Sequence, residues 1–152
     1  MDVTTELVTL GKLLLAVVLG GIIGFEREMA ARPAGLRTHM LVAATATMLV
    51  ILARRLVLAF TPLELVTHDP VRVIEAIIVG ISFLGAGTIF RSKDGGQPVQ
   101  GLTTAASVLF TAVLGIGVAL ETYVLVIGAV LLILFVNFGV RRLETWLKDR
   151  PA

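Results

Sequence analysis

Gly35-Leu36-Arg37-Thr38 opens one long apolar stretch of this chain, and Gly101-Leu102-Thr103-Thr104 opens another. At an offset of 66 residues, the window from Gly35 to Ala46 matches the window from Gly101 to Ala112 at Gly, Leu, Thr, Val, Thr and Ala. Upstream, at an offset of 65, Leu19-Gly20 matches Leu84-Gly85 and Phe25 matches Phe90. Each copy reads as apolar segment, polar hinge, apolar segment. That is the pattern of an internally duplicated membrane protein, and it makes the hinges the first place to look for function.

Composition agrees. Of 152 residues, 57% are hydrophobic, and the mean hydropathy of +0.96 exceeds that of a soluble core, so lipid is the expected solvent. A helix crossing the hydrocarbon needs roughly 20 apolar residues. Such stretches run from Leu7 to Phe25, Thr38 to Phe60, Val71 to Phe90, Gly101 to Leu120 and Thr122 to Val140. They are continuous rather than alternating, which favours helices over a closed barrel. The predicted fold is all-α and polytopic, with about five transmembrane helices; the first two and the next two form a weak parallel internal repeat. The short connections predict a single transmembrane domain over residues 1–152 and no soluble domain.

Charge sets the expected orientation. With an odd number of crossings, one side carries Arg27, Arg32, Arg37, Arg91, Lys93, Arg141, Arg142, Lys148 and Arg150, and the other Lys12, Arg54, Arg55 and Arg72. The positive-inside rule then places the N-terminus outside and the tail in the cytoplasm. The basic balance reflects topology and anionic lipid; no basic stripe with interleaved aromatics predicts a nucleic-acid partner. The start lacks a basic residue before Lys12, unlike a secretory signal, so the first helix is expected to be retained. No cysteine is present, which removes thiolate catalysis and thiolate metal sites.

Along the chain, Gly20 and Gly24 have the small-xxx-small spacing that lets helices approach closely in lipid. Gly80, Gly85 and Gly87 either pack a neighbouring helix or loosen the third segment to present carbonyls. Pro33 and Gly35 break the chain at the first hinge, and Thr38 is placed to cap the second segment, as Thr104 is to cap the fourth. Arg54-Arg55 are expected to snorkel near the outer boundary or to pair with Glu75 or Glu64. Arg72 and Glu75, three residues apart, suit an interfacial ion pair, while Glu75 is also the candidate intramembrane acid. His68 beside Asp69 is too sparse for a hard-cation site, and no metal site is predicted. The last segment has no counterpart in the repeat, as befits a lipid-facing or dimer-forming addition.

Both hinges feed helix N-termini at the cytoplasmic side, where free N–H groups and positive dipole ends gather. Glu26, Arg27, Glu28, Arg37, Thr38, Arg91, Thr103 and Thr104 form the candidate polar hinge site. It either binds a ligand or serves to satisfy the hinge backbone and fix the repeat interface. No Ser-His-Asp arrangement, phosphate loop or dinucleotide fingerprint is present, so no catalytic residue and no enzyme activity is expected.

The stretch Gly20-Gly21-Ile22-Ile23-Gly24-Phe25-Glu26-Arg27-Glu28, then Arg32 through His39, resembles the MgtC/SapB family of bacterial inner-membrane proteins. Phe83 through Ile89 with Arg91, and Gly101 through Ser107, are similar to that family's other two signatures. Departures are Ser82, where glycine is expected, and Leu109-Phe110, where a tryptophan is common. The resemblance implies a multi-pass inner-membrane protein of a virulence-associated family, linked to adaptation to magnesium limitation. Regulation of other integral membrane proteins is the expected function, with transport of Mg2+ or another small ion as the alternative. It further implies the short form without a cytoplasmic C-terminal domain; with the regulatory reading goes a homo-oligomer, a homodimer being favoured. No cofactor is expected beyond an unproven association with Mg2+.

Overall fold

The computed structural model describes residues 2–60, 69–90, 99–140 and 142; Glu64, His68 and Arg91 lie outside them. The described residues fold into five α-helices: α1 (Val3–Met29), α2 (Leu36–Phe60), α3 (Pro70–Ala86), α4 (Leu102–Ala119) and α5 (Tyr123–Phe135). A π-helical turn, Val136–Val140, continues α5. With that turn included, four helices are long and apolar enough to cross a bilayer, starting at Val3, Leu36, Leu102 and Tyr123. The remaining helix, α3, has 17 residues, at the lower end of the spanning range. Long apolar helices and no strand among the described residues make this a polytopic helical membrane protein.

The third helix ends earlier than its apolar pattern predicts. Helix α3 stops at Ala86, where the Thr88 hydroxyl donates back to the Gly85 carbonyl at 2.7 Å and withdraws it from helix continuation. The chain then extends, and Phe90 pairs with Gln100 through two backbone hydrogen bonds of 3.2 and 3.0 Å. Gly101 follows with a left-handed φ of 90°. A Cβ there would collide with the Thr88 carbonyl, so this turn demands glycine on two counts.

Helices α2 and α4 form the centre and run parallel. Two contacts establish the direction: His39 reaches Ser107 and Thr47 reaches the Gly115 carbonyl, both across 68 residues of sequence. An advance along α2 is therefore matched by an equal advance along α4, and the two hinge copies lie side by side at one end. Helix α1 packs against α2 through glycine: a Cβ on Gly20 would stand 2.5 Å from the His39 carbonyl, and one on Gly24 would stand 2.8 Å from Leu36 Cα. On the other side of α2, a Cβ on Gly115 would run into the Ala43 carbonyl. Lipid provides no hydrophobic drive between helices, so this backbone-close packing is what dispersion requires.

Two apolar clusters flank the central pair. Leu19, Ile23, Leu114, Val118, Val126 and Val130 join α1, α4 and α5; Val42, Ala46, Ile77, Ile81, Val108 and Ala112 join α2, α3 and α4. Helix α5 buries only Val126 and Val130 and turns the rest outward, Val124 being 90% exposed. Exposed apolar side chains of this kind are the surface lipid wets.

Candidate functional site

The first hinge is built from the end of α1. Its closing turn has Ala31 at a positive φ of 52°, with the Arg32 N–H donating to the Arg27 carbonyl at 3.0 Å. This fold-back brings the Glu28 carboxylate across the hinge, where Oε2 accepts from the Leu36 N–H at 2.8 Å. Glu28, rather than Thr38, thus caps α2. Thr38 falls inside the first helical turn and is exposed, because α2 begins at Leu36. Gly35 leaves room for the capping carboxylate: a Cβ there would meet Glu28 Oε2 at 2.8 Å.

Glu26 and Arg27 point the other way, into protein. Both are buried, and the guanidinium grips the neighbouring carboxylate with two bonds, Nε to Oε2 at 2.5 Å and Nη2 to Oε1 at 2.7 Å. Asn137, from the π-helical turn beyond α5, donates from Nδ2 to Glu26 Oε2 at 3.0 Å. A charge taken from water must be paired and hydrogen-bonded, and this carboxylate is both.

His39 is fully buried one turn into α2 and links the hinge to α4. Its Nδ1 lies 2.9 Å from the Gly35 carbonyl, which can only accept, so Nδ1 carries the proton. Nε2 lies 3.1 Å from Ser107 Oγ, whose hydroxyl donates to the Thr104 carbonyl at 2.9 Å. Two turns on, the Thr47 hydroxyl lies 2.9 Å from the Ala43 carbonyl and 2.8 Å from the Gly115 carbonyl. These contacts form a polar seam along the α2–α4 interface. Its odd member is Thr104, whose Oγ1 is buried with no hydrogen-bond partner among the described residues. The hydroxyl therefore does not cap α4.

The structure brings Glu26, Arg27 and Glu28 to the hinge and leaves Arg37, Thr38 and Thr103 exposed beside them; Thr104 is buried next to the seam. Glu75 is exposed on α3, and no Arg72–Glu75 ion pair forms among the described residues. Gly85 lies against Ala105, a Cβ there meeting its Cβ at 3.5 Å, and Gly87 caps α3. Around Gly80 the space is open within this chain. His39, Ser107 and Asn137 are participants that motif reasoning left off the site. The signal for Asn137 was present: it is the chain's single asparagine, set in an apolar run, where an amide needs a partner.

At the opposite end, Lys12 Nζ contacts Glu121 Oε1 at 2.6 Å, and Arg55 Nη2 donates to Thr9 Oγ1 at 2.9 Å. The Lys12 hydrogen bond, with its charge second, holds the Glu121 carboxyl below the ordinary carboxylate range. No group of three or more His, Cys, Asp or Glu side chains suited to a metal ion occurs among the described residues.

The family model described as the MgtC family matches residues 13–146. The chain is 35% identical over 124 residues to the putative magnesium transporter YhiD of Escherichia coli K12, covering 81% of this chain and 56% of that protein. It is 34% identical over 123 residues to protein SapB of Bacillus subtilis, covering 81% and 52%. To protein MgtC of Brucella abortus it is 44% identical over 101 residues, covering 66% and 38%. The chain spans about half the length of the curated relatives it matches. No solved structure matches it.

Proposed function

The chain belongs to the MgtC family, and from that premise we propose that it is a bacterial inner-membrane protein serving adaptation to magnesium limitation by regulating other membrane proteins through helix contacts. The observation that carries this reading is the state of Glu26. Magnesium demands oxygen ligands in near-octahedral array and gives up its waters reluctantly. The buried carboxylate among the described residues is already engaged by the Arg27 fork and the Asn137 amide. An acid so engaged serves as a clamp between α1 and the end of α5, and it is poorly suited to be a step in an ion path. The broad apolar outer surface, with Phe83, Val79 and Val124 exposed, supplies helix faces for a second copy or for another integral protein.

The second reading, transport of Mg2+ or another small ion, is favoured by the printed name of the Escherichia coli relative. Magnesium flux into liposomes that hold only the purified chain separates the two. No gradient-driven influx beyond that of protein-free vesicles supports regulation; influx that requires the wild-type chain contradicts it. The excess of arginine and lysine on the hinge side supports an N-terminus outside and a tail inside, which accessibility of single introduced cysteines at the two ends tests.

A further inference from the structure

At the end of the bundle away from the hinges, a cavity of about 830 Å3 opens between the start of α1, the end of α2, the start of α3 and the α4–α5 turn. That is the size of a small-molecule site, roughly 300–1,000 Å3. Its polar lining includes Thr9, Lys12, Arg54, Arg55, Asp69 and Glu121. The two acids are already engaged: Glu121 by Lys12, and Asp69 by the Val71 N–H, which it accepts at 3.0 Å as the cap of α3. Three cations, Lys12, Arg54 and Arg55, face two carboxylates among the described lining residues, so the lining keeps a net positive charge of one, and the guanidiniums of Arg54 and Arg55 carry most of the unused donors. Arg55 uses one of its five donors on Thr9, and Arg54 makes no hydrogen bond or ion pair among the described residues.

The walls are apolar, formed by Val50, Ile51, Ile74 and Ile116. A second groove of about 750 Å3, lined by Leu49, Leu52, Leu56 and Ala76, shares Ala53, Arg55 and Val73 with the cavity. The groove therefore adjoins the cavity and runs between α2 and α3, with Arg55 lining both. Arg55 lies 16 residues beyond His39, about 24 Å along the helix at 1.5 Å per residue, which is headgroup level for a hydrocarbon core of roughly 30 Å.

We propose that this cavity and groove hold one anionic phospholipid, its phosphate on the Arg54 and Arg55 guanidiniums and an acyl chain along the groove between α2 and α3. Guanidinium forks match phosphate oxygens in pairs, and the adjoining apolar channel distinguishes a lipid from a free anion. The site is separate from the hinge and does not depend on the functional reading above.

Native mass spectrometry of the full chain, delipidated and supplied with phosphatidylglycerol or phosphatidylcholine, tests it. The wild type should retain one phosphatidylglycerol at least tenfold in preference to phosphatidylcholine. The R54Q/R55Q double variant should lose that preference, whereas Arg32→Gln at the opposite end should keep it. Ala76→Trp, at an exposed position, fills the groove without changing charge and should lower retention of phosphatidylglycerol. Equal retention of the two lipids, undiminished preference in R54Q/R55Q, or displacement of the lipid by millimolar inorganic phosphate would overturn the assignment; the last would leave a free-anion site.

Discussion

Asn137 donates a 3.0 Å hydrogen bond to Glu26, the same carboxylate that Arg27 holds with two bonds, so the first and last apolar helices are joined by a polar clamp whose Glu26–Arg27 pair is buried. Removing one partner of a buried pair leaves a charge uncompensated, which costs about 3–5 kcal/mol, while a hydrogen bond to a charged group is worth about 1.5–3 kcal/mol. Arg27→Met should therefore destabilise the folded chain more than Asn137→Leu. Thermal unfolding in detergent micelles checks the order; equal melting temperatures for both variants and the wild type would mean the clamp carries no stability.

The Thr104 hydroxyl and the Ser107 hydroxyl, one turn apart, should respond in opposite ways. Thr104 Oγ1 is buried and unpartnered, so Thr104→Val should be neutral or stabilising, by up to about 1–2 kcal/mol. Ser107→Ala removes the partner of His39 Nε2 and should cost about 1–3 kcal/mol, the desolvation penalty of an unsatisfied buried group. Paired unfolding curves decide. A loss for Thr104→Val as large as that for Ser107→Ala would show that the hydroxyl is engaged.

Glycine packing makes a second contrast. A Cβ on Gly24 would press on the Leu36 backbone and the His39 side chain, whereas one on Gly80 meets open space. Overpacking costs about 1–3 kcal/mol, so Gly24→Ala should lower the melting temperature and Gly80→Ala should leave it unchanged or raise it, alanine being the better helix former. Protein yield and melting temperature in micelles give the comparison.

The Lys12–Glu121 pair carries a pH dependence of definite sign. The folded-state carboxyl titrates below its unfolded value, so its contribution is complete above about pH 4.3 and disappears as the pH falls through the depressed value. The difference in melting temperature between wild type and Glu121→Gln should be steady from about pH 7 to 5 and shrink on further acidification. Because the pair is exposed, added salt should reduce the difference as well. A difference that does not change with pH contradicts the pairing.

Much of this architecture was legible in the sequence because its strongest signals are periodic. The doubled Gly-Leu-x-Thr passage marks the starts of α2 and α4, and the His39–Ser107 and Thr47–Gly115 contacts, 68 residues apart against a sequence offset of 66, show those two helices running parallel. The acids at the end of α1 were legible as hinge groups, but not their partners. Glu28 reaches Leu36 only because a left-handed Ala31 folds the chain back, and Glu26 meets Asn137 across 111 residues of sequence. Local pattern assigned the α2 cap to Thr38 because it weighs threonine at a helix start more heavily than a carboxylate arriving from the preceding helix. The same blindness to distant geometry hid the early end of α3, which depends on Thr88 and on the Phe90–Gln100 pairing.

The central claim is that the Glu26–Arg27–Asn137 clamp holds helices together and does not pass ions. Purified protein in liposomes loaded with a Mg2+-sensitive dye tests it most directly. The account predicts that an imposed Mg2+ gradient produces no more influx than in protein-free vesicles, with Glu26→Gln altering stability alone. Gradient-dependent influx through the wild-type chain that Glu26→Gln abolishes, in protein shown to be folded, would contradict it.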